Sequence, residues 1–221
     1  MSDEFWEDPE RVERFAERDP DHRLVALVEE YGDPGAVRVL DLGCAGGRNT
    51  VFLAERGFDV WALDASAAMV ERTRDRLAGL MGEEEVRRRV RRRRMDDLSE
   101  YPDHRFDLVV SLGVQHSART WAEWERAAAE TARVLVPGGR LLFTQFTPDV
   151  DLTGEGVTSV PGEPHVYTGF PAGRAVLVDA ETLDRELATR GLRPEVPSET
   201  VRVDLEDGGR RVSVNALYVK D

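Results

Sequence analysis

VRVLDLGCAGGRNTVFLAERGFDVWALDAS, residues 37–66, reads as a strand, a glycine-rich turn, a helix and a second strand. Val37, Val39, Leu40 and Leu42 form the short apolar run of a central parallel strand, which is buried on both faces. Gly43, Gly46 and Gly47 then make a turn whose backbone can approach a ligand with no Cβ in the way. After Arg48, residues Val51, Phe52, Ala54 and Glu55 recur at helical spacing until Gly57 stops the helix. Phe58 to Leu63 is the second strand, and Asp64 sits at its carboxyl end. The pattern predicts half of a nucleotide-binding βαβ unit.

The glycine spacing narrows the ligand. Asp41-Leu42-Gly43-Cys44-Ala45-Gly46-Gly47 contains no G-x-G-x-x-G in any register, and the chain has no phosphate loop; its one lysine is Lys220. An acidic residue just before the turn suits an ammonium group better than phosphates. Asp64, about twenty residues on, is placed to accept from ribose hydroxyls. On these residues the chain resembles the class I S-adenosylmethionine (SAM) dependent methyltransferases, whose first motif is D-x-G-x-G-x-G. The block GRNTVFLAERGFDVWALDAS is also similar to the tellurite-resistance and thiopurine-type small-molecule methyltransferases. Ala45 occupies the middle glycine position, and its methyl fits there if that residue has negative φ. The resemblance implies SAM as cofactor, contacted by Asp41, Gly43, Cys44, Ala45, Gly47, Arg48, Asp64, Ala65 and Met69.

Working outward, the 221 residues suffice for one α/β domain with a full core. No apolar run reaches about eighteen residues, and the opening MSDEFWEDPE is acidic, so neither a membrane span nor export is expected, and the expected location is cytoplasmic. The lone Cys44 can form no internal disulfide and reads as a small residue buried in the turn. A net charge of −13 argues against a nucleic-acid backbone as the main partner. A small-molecule acceptor is expected, with the protein a monomer or homodimer and no metal required.

Residues 1–34 are predicted to be a helical cap, with one helix starting at Asp8-Pro9 and a second capped by Asp21. Phe5, Trp6 and Phe15 either line a substrate pocket or anchor the cap. Residues 35–221 are the expected catalytic domain. Ser66 caps a helix running to Leu80. Glu83, Glu84 and Glu85 precede seven arginines between Arg87 and Arg94, which read either as an edge strand whose charges block pairing with other chains or as a strip that binds RNA or phosphate. After it, the resemblance implies an adenine-binding carboxylate at Asp96 or Asp97 beside the apolar Leu98; Asp97 serves equally as a helix cap.

Phe106-Asp107-Leu108-Val109-Val110-Ser111 resembles the family's F-D-x-V-x-S strand and implies cofactor contacts from Ser111 and Leu112. His116, in the loop beyond, is either a general base facing the transferred methyl or a loop histidine capping the next helix. Trp121, Trp124, Ala128, Thr131 and Leu135 form a helical stripe read as core. Arg133 to Leu141 resembles the family's R-V-L-x-P-G-G-x-L turn into the fifth strand. Residues 148–175, rich in Gly and Pro, read as a long loop, either closing over the site through His165, Tyr167 and Phe170 or disordered. A helix from Asp179 to Arg190 and a hairpin turning at Asp207-Gly208-Gly209 complete the chain. The expected architecture is a Rossmann-like, doubly wound seven-stranded sheet, mostly parallel, ending in an antiparallel hairpin. An RNA or protein methyltransferase, and a SAM-binding protein without transfer, stay open as alternatives.

Overall fold

The computed structural model describes residues 2–206 and 208–221. The chain runs α1 (Ser2–Trp6), α2 (Pro9–Ala16), α3 (His22–Val28), β1 (Arg38–Leu42), α4 (Arg48–Glu55), β2 (Asp59–Asp64) and α5 (Ala67–Leu77). It continues through α6 (Glu83–Arg89), β3 (Val90–Arg92), β4 (Phe106–Leu112), α7 (Trp121–Val134) and β5 (Leu135–Phe146). The last third holds β6 (Thr158–Ser159), β7 (Val166–Phe170), β8 (Gly173–Val176), α8 (Ala180–Ala188), β9 (Leu192–Pro194), β10 (Glu199–Asp204) and β11 (Arg210–Lys220).

The main sheet has the order β10-β11-β5-β4-β1-β2-β3, with β9 added against β11 as an eighth strand. Strands β1 to β5 pair in parallel, and β11 enters antiparallel between β5 and β10. Successive residues of each strand point to opposite faces. Val39, Val60, Leu108 and Val110 therefore meet α3 and α4 through Leu24, Leu27 and Leu53, while Leu40, Leu63 and Val109 join the core under α7 and α8. The third helix is thus part of the layer on the sheet, and only α1 and α2 overlie the strand ends. Val136 to Gly139 bulge out of the β4–β5 ladder, with Gly138 at φ +76°, so the Pro-Gly-Gly turn lies inside the long fifth strand.

Three expectations change. The charged segment is mostly helical: α6 carries Glu83, Glu84 and Glu85 in its first turn and Arg87, Arg88 and Arg89 in its last, each sign placed where the helix dipole favours it. Only Val90–Arg92 forms the sheet edge. Most of its arginines are ion-paired, Arg88 and Arg89 with Glu85, Arg91 and Arg93 with Glu100, and Arg94 with Asp96 and Glu123. Residues 148–175 are not a structureless loop, since β6, β7 and β8 form a second antiparallel sheet over Val150, Phe170, Ala175 and Leu177. In α4 the buried positions are Asn49, Thr50 and Leu53 rather than the Val51, Phe52, Ala54 and Glu55 stripe, because Thr50 turns inward to Asp41 of β1 and Asn49 accepts from Asp21 N ahead of α3. Asp207 of the expected hairpin turn lies outside the described residues; β10 and β11 pair as expected on either side.

Candidate functional site

The chain order reverses at β1, which has β2 on one side and β4 on the other. Such a switch point opens a crevice at the carboxyl ends of the strands. A cavity of about 390 Å³ lies there, within the ~300–1,000 Å³ typical of ligand pockets. Its floor is the glycine turn. Gly43 N and Cys44 N both donate to Leu63 O, at 2.9 and 3.0 Å, locking the turn to the end of β2. A Cβ on Gly43 would lie 2.6 Å from the Val114 side chain, and one on Gly46 would lie 2.6–2.7 Å from Ala16, including its backbone. The glycines are therefore demanded by neighbours on two sides, the loop after β4 and the end of α2.

Ala45 has φ +49°, which overturns the expectation of negative φ. The left-handed conformation is held because Ala45 N donates to Asp64 Oδ2 at 3.0 Å and Ala45 O accepts from Thr73 Oγ1 at 2.8 Å. A left-handed L-residue costs about 1–2 kcal/mol, partly offset by glycine's greater entropy loss of about 0.5–1. Ala45→Gly is accordingly expected to stabilise the fold by about 0.5–1 kcal/mol, read as a rise of about 1–4 °C in thermal melting. A lower melting temperature would show that the alanine is not strained.

Two carboxylates face this turn. Asp41 is 2% exposed and accepts from Thr50 Oγ1 at 2.6 Å. Burial drives its carboxyl up to about 6, against the Thr50 hydroxyl and the Arg48 charge, with the Asp64 charge adding to the rise. Asp64 accepts from Ala45 N through one oxygen and from Ser66 N, at 2.9 Å, through the other. Burial raises its carboxyl above the ordinary range in spite of these backbone donors. Each carboxylate oxygen keeps acceptor capacity for a ligand.

The roof comes from the N-terminus. Ser66 Oγ donates to Trp6 O at 3.0 Å, and Glu7 accepts from Ala67 N and Ala68 N at 2.8 and 2.9 Å, capping α5 from another part of the chain. Arg76 Nη1 ties Ala16 O to Gly46 O. Trp6 and Phe15 line the cavity and meet edge to face at 5.8 Å; Phe5 packs behind Trp6 at 4.9 Å and lies off the cavity. The far wall comes from β4 and the inserted sheet, through Leu112, Val114, Ser117, Phe170 and Arg174.

Of the residues singled out in the sequence, Asp41, Gly43, Cys44, Ala45, Arg48, Asp64, Ala65, Met69, Leu112, Trp6, Phe15 and Phe170 line this cavity. Gly47 does not; at φ +83° it starts α4 against Thr73. Asp96, Asp97 and Leu98 also lie off it. Asp96 is engaged by Arg94 and Arg126 at 3.0 and 2.9 Å, and exposed Asp97 accepts from Ser99. Leu98 is fully buried, its N–H bound to Glu130 and its carbonyl to Arg133, so α7 turns this segment away. Arg93, Arg94 and Met95, just upstream, take the place on the cavity wall. Ser111 points into the core, fully buried.

His116 is corrected most sharply. It is 3% exposed and packs on Phe146 and Phe170, at ring distances of 4.4 and 5.3 Å, off the cavity wall. Burial alone drops it to about 3, which leaves a poor general base at neutral pH. His116→Leu is expected to change stability by less than about 1.5 kcal/mol and to leave ligand affinity unchanged, measured by melting and calorimetry. His165 packs tilted against Trp121 at 4.6 Å, and Tyr167 packs against the core of the second sheet; neither reaches the cavity.

The sequence reading missed Asn49, Arg93, Arg94, Met95, Arg119, Glu123 and Arg174 on the wall. Glu123 had a local signal: Thr120 caps α7 by accepting from Glu123 N at 3.2 Å, a Thr-x-x-Glu pattern. Arg174, from the inserted sheet, had none.

Residues 39–139 match the family model described as a methyltransferase domain. An uncharacterised methyltransferase of Mycobacterium tuberculosis is 38% identical over 119 residues, 52% of this chain and 42% of its own length. The chain thus spans about half the length of that relative. A demethylmenaquinone methyltransferase of Thermus thermophilus is 36% identical over 114 residues, 50% of this chain and 48% of its own. Among solved structures, the fold is similar to a Burkholderia thailandensis 1,6-didemethyltoxoflavin N1-methyltransferase, crystallised with its substrate and S-adenosylhomocysteine. That similarity has TM-score 0.61 at 21% identity and covers 98% of this chain and 81% of that one.

Proposed function

We propose that this chain, whose residues 39–139 match a methyltransferase domain, is a class I, SAM-dependent methyltransferase that moves a methyl group from SAM to a small-molecule nucleophile in the cavity at the ends of β1, β2 and β4. The observation that carries this reading is the pair of carboxylates, buried Asp41 and half-buried Asp64, on the glycine turn of a cavity of about 390 Å³. The residues fit the cofactor: Asp41 suits its ammonium group, Asp64 its ribose hydroxyls, and Met69, Met95 and Leu112 supply apolar wall. Bound SAM would supply a methyl carbon already activated by the sulfonium.

The chain's own contribution is then binding, orientation and exclusion of water. The Gly43–Gly47 turn, pinned by Leu63, Asp64 and Thr73, fixes the floor without needing to rearrange. Trp6 and Phe15, clamped through Ser66 and Glu7, keep bulk water off the other side. No buried histidine or carboxylate acts as base in this reading, so the acceptor enters deprotonated or loses its proton to water. A small acceptor is favoured over RNA because the arginine-rich segment is largely neutralised by its own carboxylates.

Calorimetry with SAM and S-adenosylhomocysteine, followed by incubation of methyl-labelled SAM with acceptor panels, tests the reading. Micromolar to sub-millimolar binding and label transfer to a small molecule are expected. No heat with SAM at about 1 mM would overturn it, and label appearing in RNA or protein instead would replace the acceptor class.

A further inference from the structure

The cavity wall is out of character with the chain around it. The protein carries a net charge of −13, yet five arginines line the cavity (Arg48, Arg93, Arg94, Arg119 and Arg174) against three carboxylates, Asp41, Asp64 and Glu123. Two of the carboxylates sit on the glycine turn. The third, Glu123, is already held by Arg94 and by Arg119 N at 3.0 Å. An acidic protein repels an anionic ligand unless the site concentrates local positive charge. Arg93 and Arg94 are already paired with Glu100, Asp96 and Glu123, so the case for an anion rests on Arg174.

Arg174 differs from the others in origin. It comes from the inserted sheet, where the tip of the β7–β8 hairpin, Phe170 to Arg174, projects onto the cavity. The hairpin is well anchored. Phe170 packs against Phe146 at 5.6 Å and His116 at 5.3 Å, Leu177 N donates to His165 O at 2.9 Å, and Val160 N to Val166 O at 2.8 Å. Arg174 pairs with Glu163, which is not on the cavity wall, and its Nε–H is buried with no acceptor among the described residues. An unmet buried guanidinium N–H costs about 1–3 kcal/mol. The planar guanidinium fork matches a carboxylate. Three aromatic rings, Trp6, Phe15 and Phe170, line the same cavity. These give a flat apolar body something to lie against.

We infer that the acceptor is a ring-bearing carboxylate, its apolar body against Trp6, Phe15 and Phe170 and its carboxylate toward Arg174. This rests on the transferase reading for the word acceptor, but the recognition itself is measurable apart from transfer. It assigns the inserted hairpin the role of choosing the substrate by charge, while the glycine turn serves the cofactor.

The test titrates three ring carboxylates, 4-hydroxybenzoate, 3,4-dihydroxybenzoate and indole-3-acetate, each beside its own amide. Tryptophan fluorescence and calorimetry are read with and without saturating S-adenosylhomocysteine. At least one carboxylate is expected to bind about tenfold or more tighter than its amide. Arg174→Gln is expected to bring that ratio below about threefold. Glu163→Gln, which removes the arginine's competing partner, is expected to tighten the carboxylate about two- to threefold, a change that a merely structural ion pair would not produce. Amides binding as well as their carboxylates, no carboxylate binding at all, or a ratio unchanged in Arg174→Gln would each overturn the inference. Failure to bind S-adenosylhomocysteine counts against the transferase reading instead, since the carboxylate-to-amide ratio is measured in its absence as well.

Discussion

Replacing Asp64 with alanine is expected to weaken SAM binding at least tenfold, about 1.4 kcal/mol or more. The carboxylate does two things at once. One oxygen holds the left-handed Ala45 through its N–H and the other holds Ser66 N, the residue that caps α5. Its remaining lone pairs face the cavity, where ribose hydroxyls would donate. Alanine therefore loosens the turn and removes the acceptor together. Asp64→Asn keeps one acceptor oxygen without the charge and is expected to fall between wild type and alanine. Calorimetry gives the affinities, and a melting curve on each variant establishes that it is folded. An Asp64→Ala protein that is folded and binds SAM as tightly as wild type would remove Asp64 from the site.

Asp41→Asn is expected to move stability and ligand affinity in opposite directions. A carboxyl raised to about 6 in the fold, from an ordinary value near 4, favours folding while protonated. That contribution is complete below about pH 4 and is lost as pH rises through 6, so at pH 8 the ionised group is a cost of up to about 2–3 kcal/mol. Asparagine removes the charge and can still accept from Thr50. The variant is expected to melt several degrees higher at pH 8, at about 2–4 °C per kcal/mol for a chain of this size, with little gain at pH 4. The same substitution removes the partner of the cofactor's ammonium group. Wild-type affinity for SAM is expected to fall about tenfold between pH 7.5 and pH 5, as Asp41 protonates, and the variant to be weak at both. A flat wild-type profile, or an Asn variant with undiminished affinity, would separate Asp41 from ligand binding. A buried charge kept at a net cost in stability is common at sites built to bind.

The comparison between sequence and structure divides by the range of the interactions involved. The βαβ unit was legible because its signals are local. An apolar run, three glycines and an acidic residue at a strand end specify backbone conformations within thirty positions, and the same holds for the caps at Asp8, Asp21, Ser66 and Asp179. The doubly wound sheet with its antiparallel hairpin was expected from the family resemblance, and the structure supplied the strand order. Apart from Asn49, the cavity residues drawn from that unit were accordingly found in the sequence.

Of the residues outside it, Trp6, Phe15, Leu112 and Phe170 were named in the sequence and most others were not. Asp96, Asp97 and Leu98 lie one turn from Met95, and which of them faces the cavity is decided by Glu130 and Arg133 on a helix some thirty residues away. His116 sits at the right place in the chain, but Phe146 and Phe170 enclose it, and those rings come from a strand and an insertion with no sequence link to it. The second sheet itself was hidden because strands of two to five residues, spaced by glycines, carry too little alternation to stand out from a loop.

Sequence alone determined the sheet, its glycine turn and the two carboxylates on it, since short-range backbone and burial preferences suffice for those. Only the tertiary structure decided which walls close the cavity, that its charge is mostly guanidinium, and that Arg174 stands at its rim. Those depend on long-range side-chain packing, which no stretch of sequence encodes by itself.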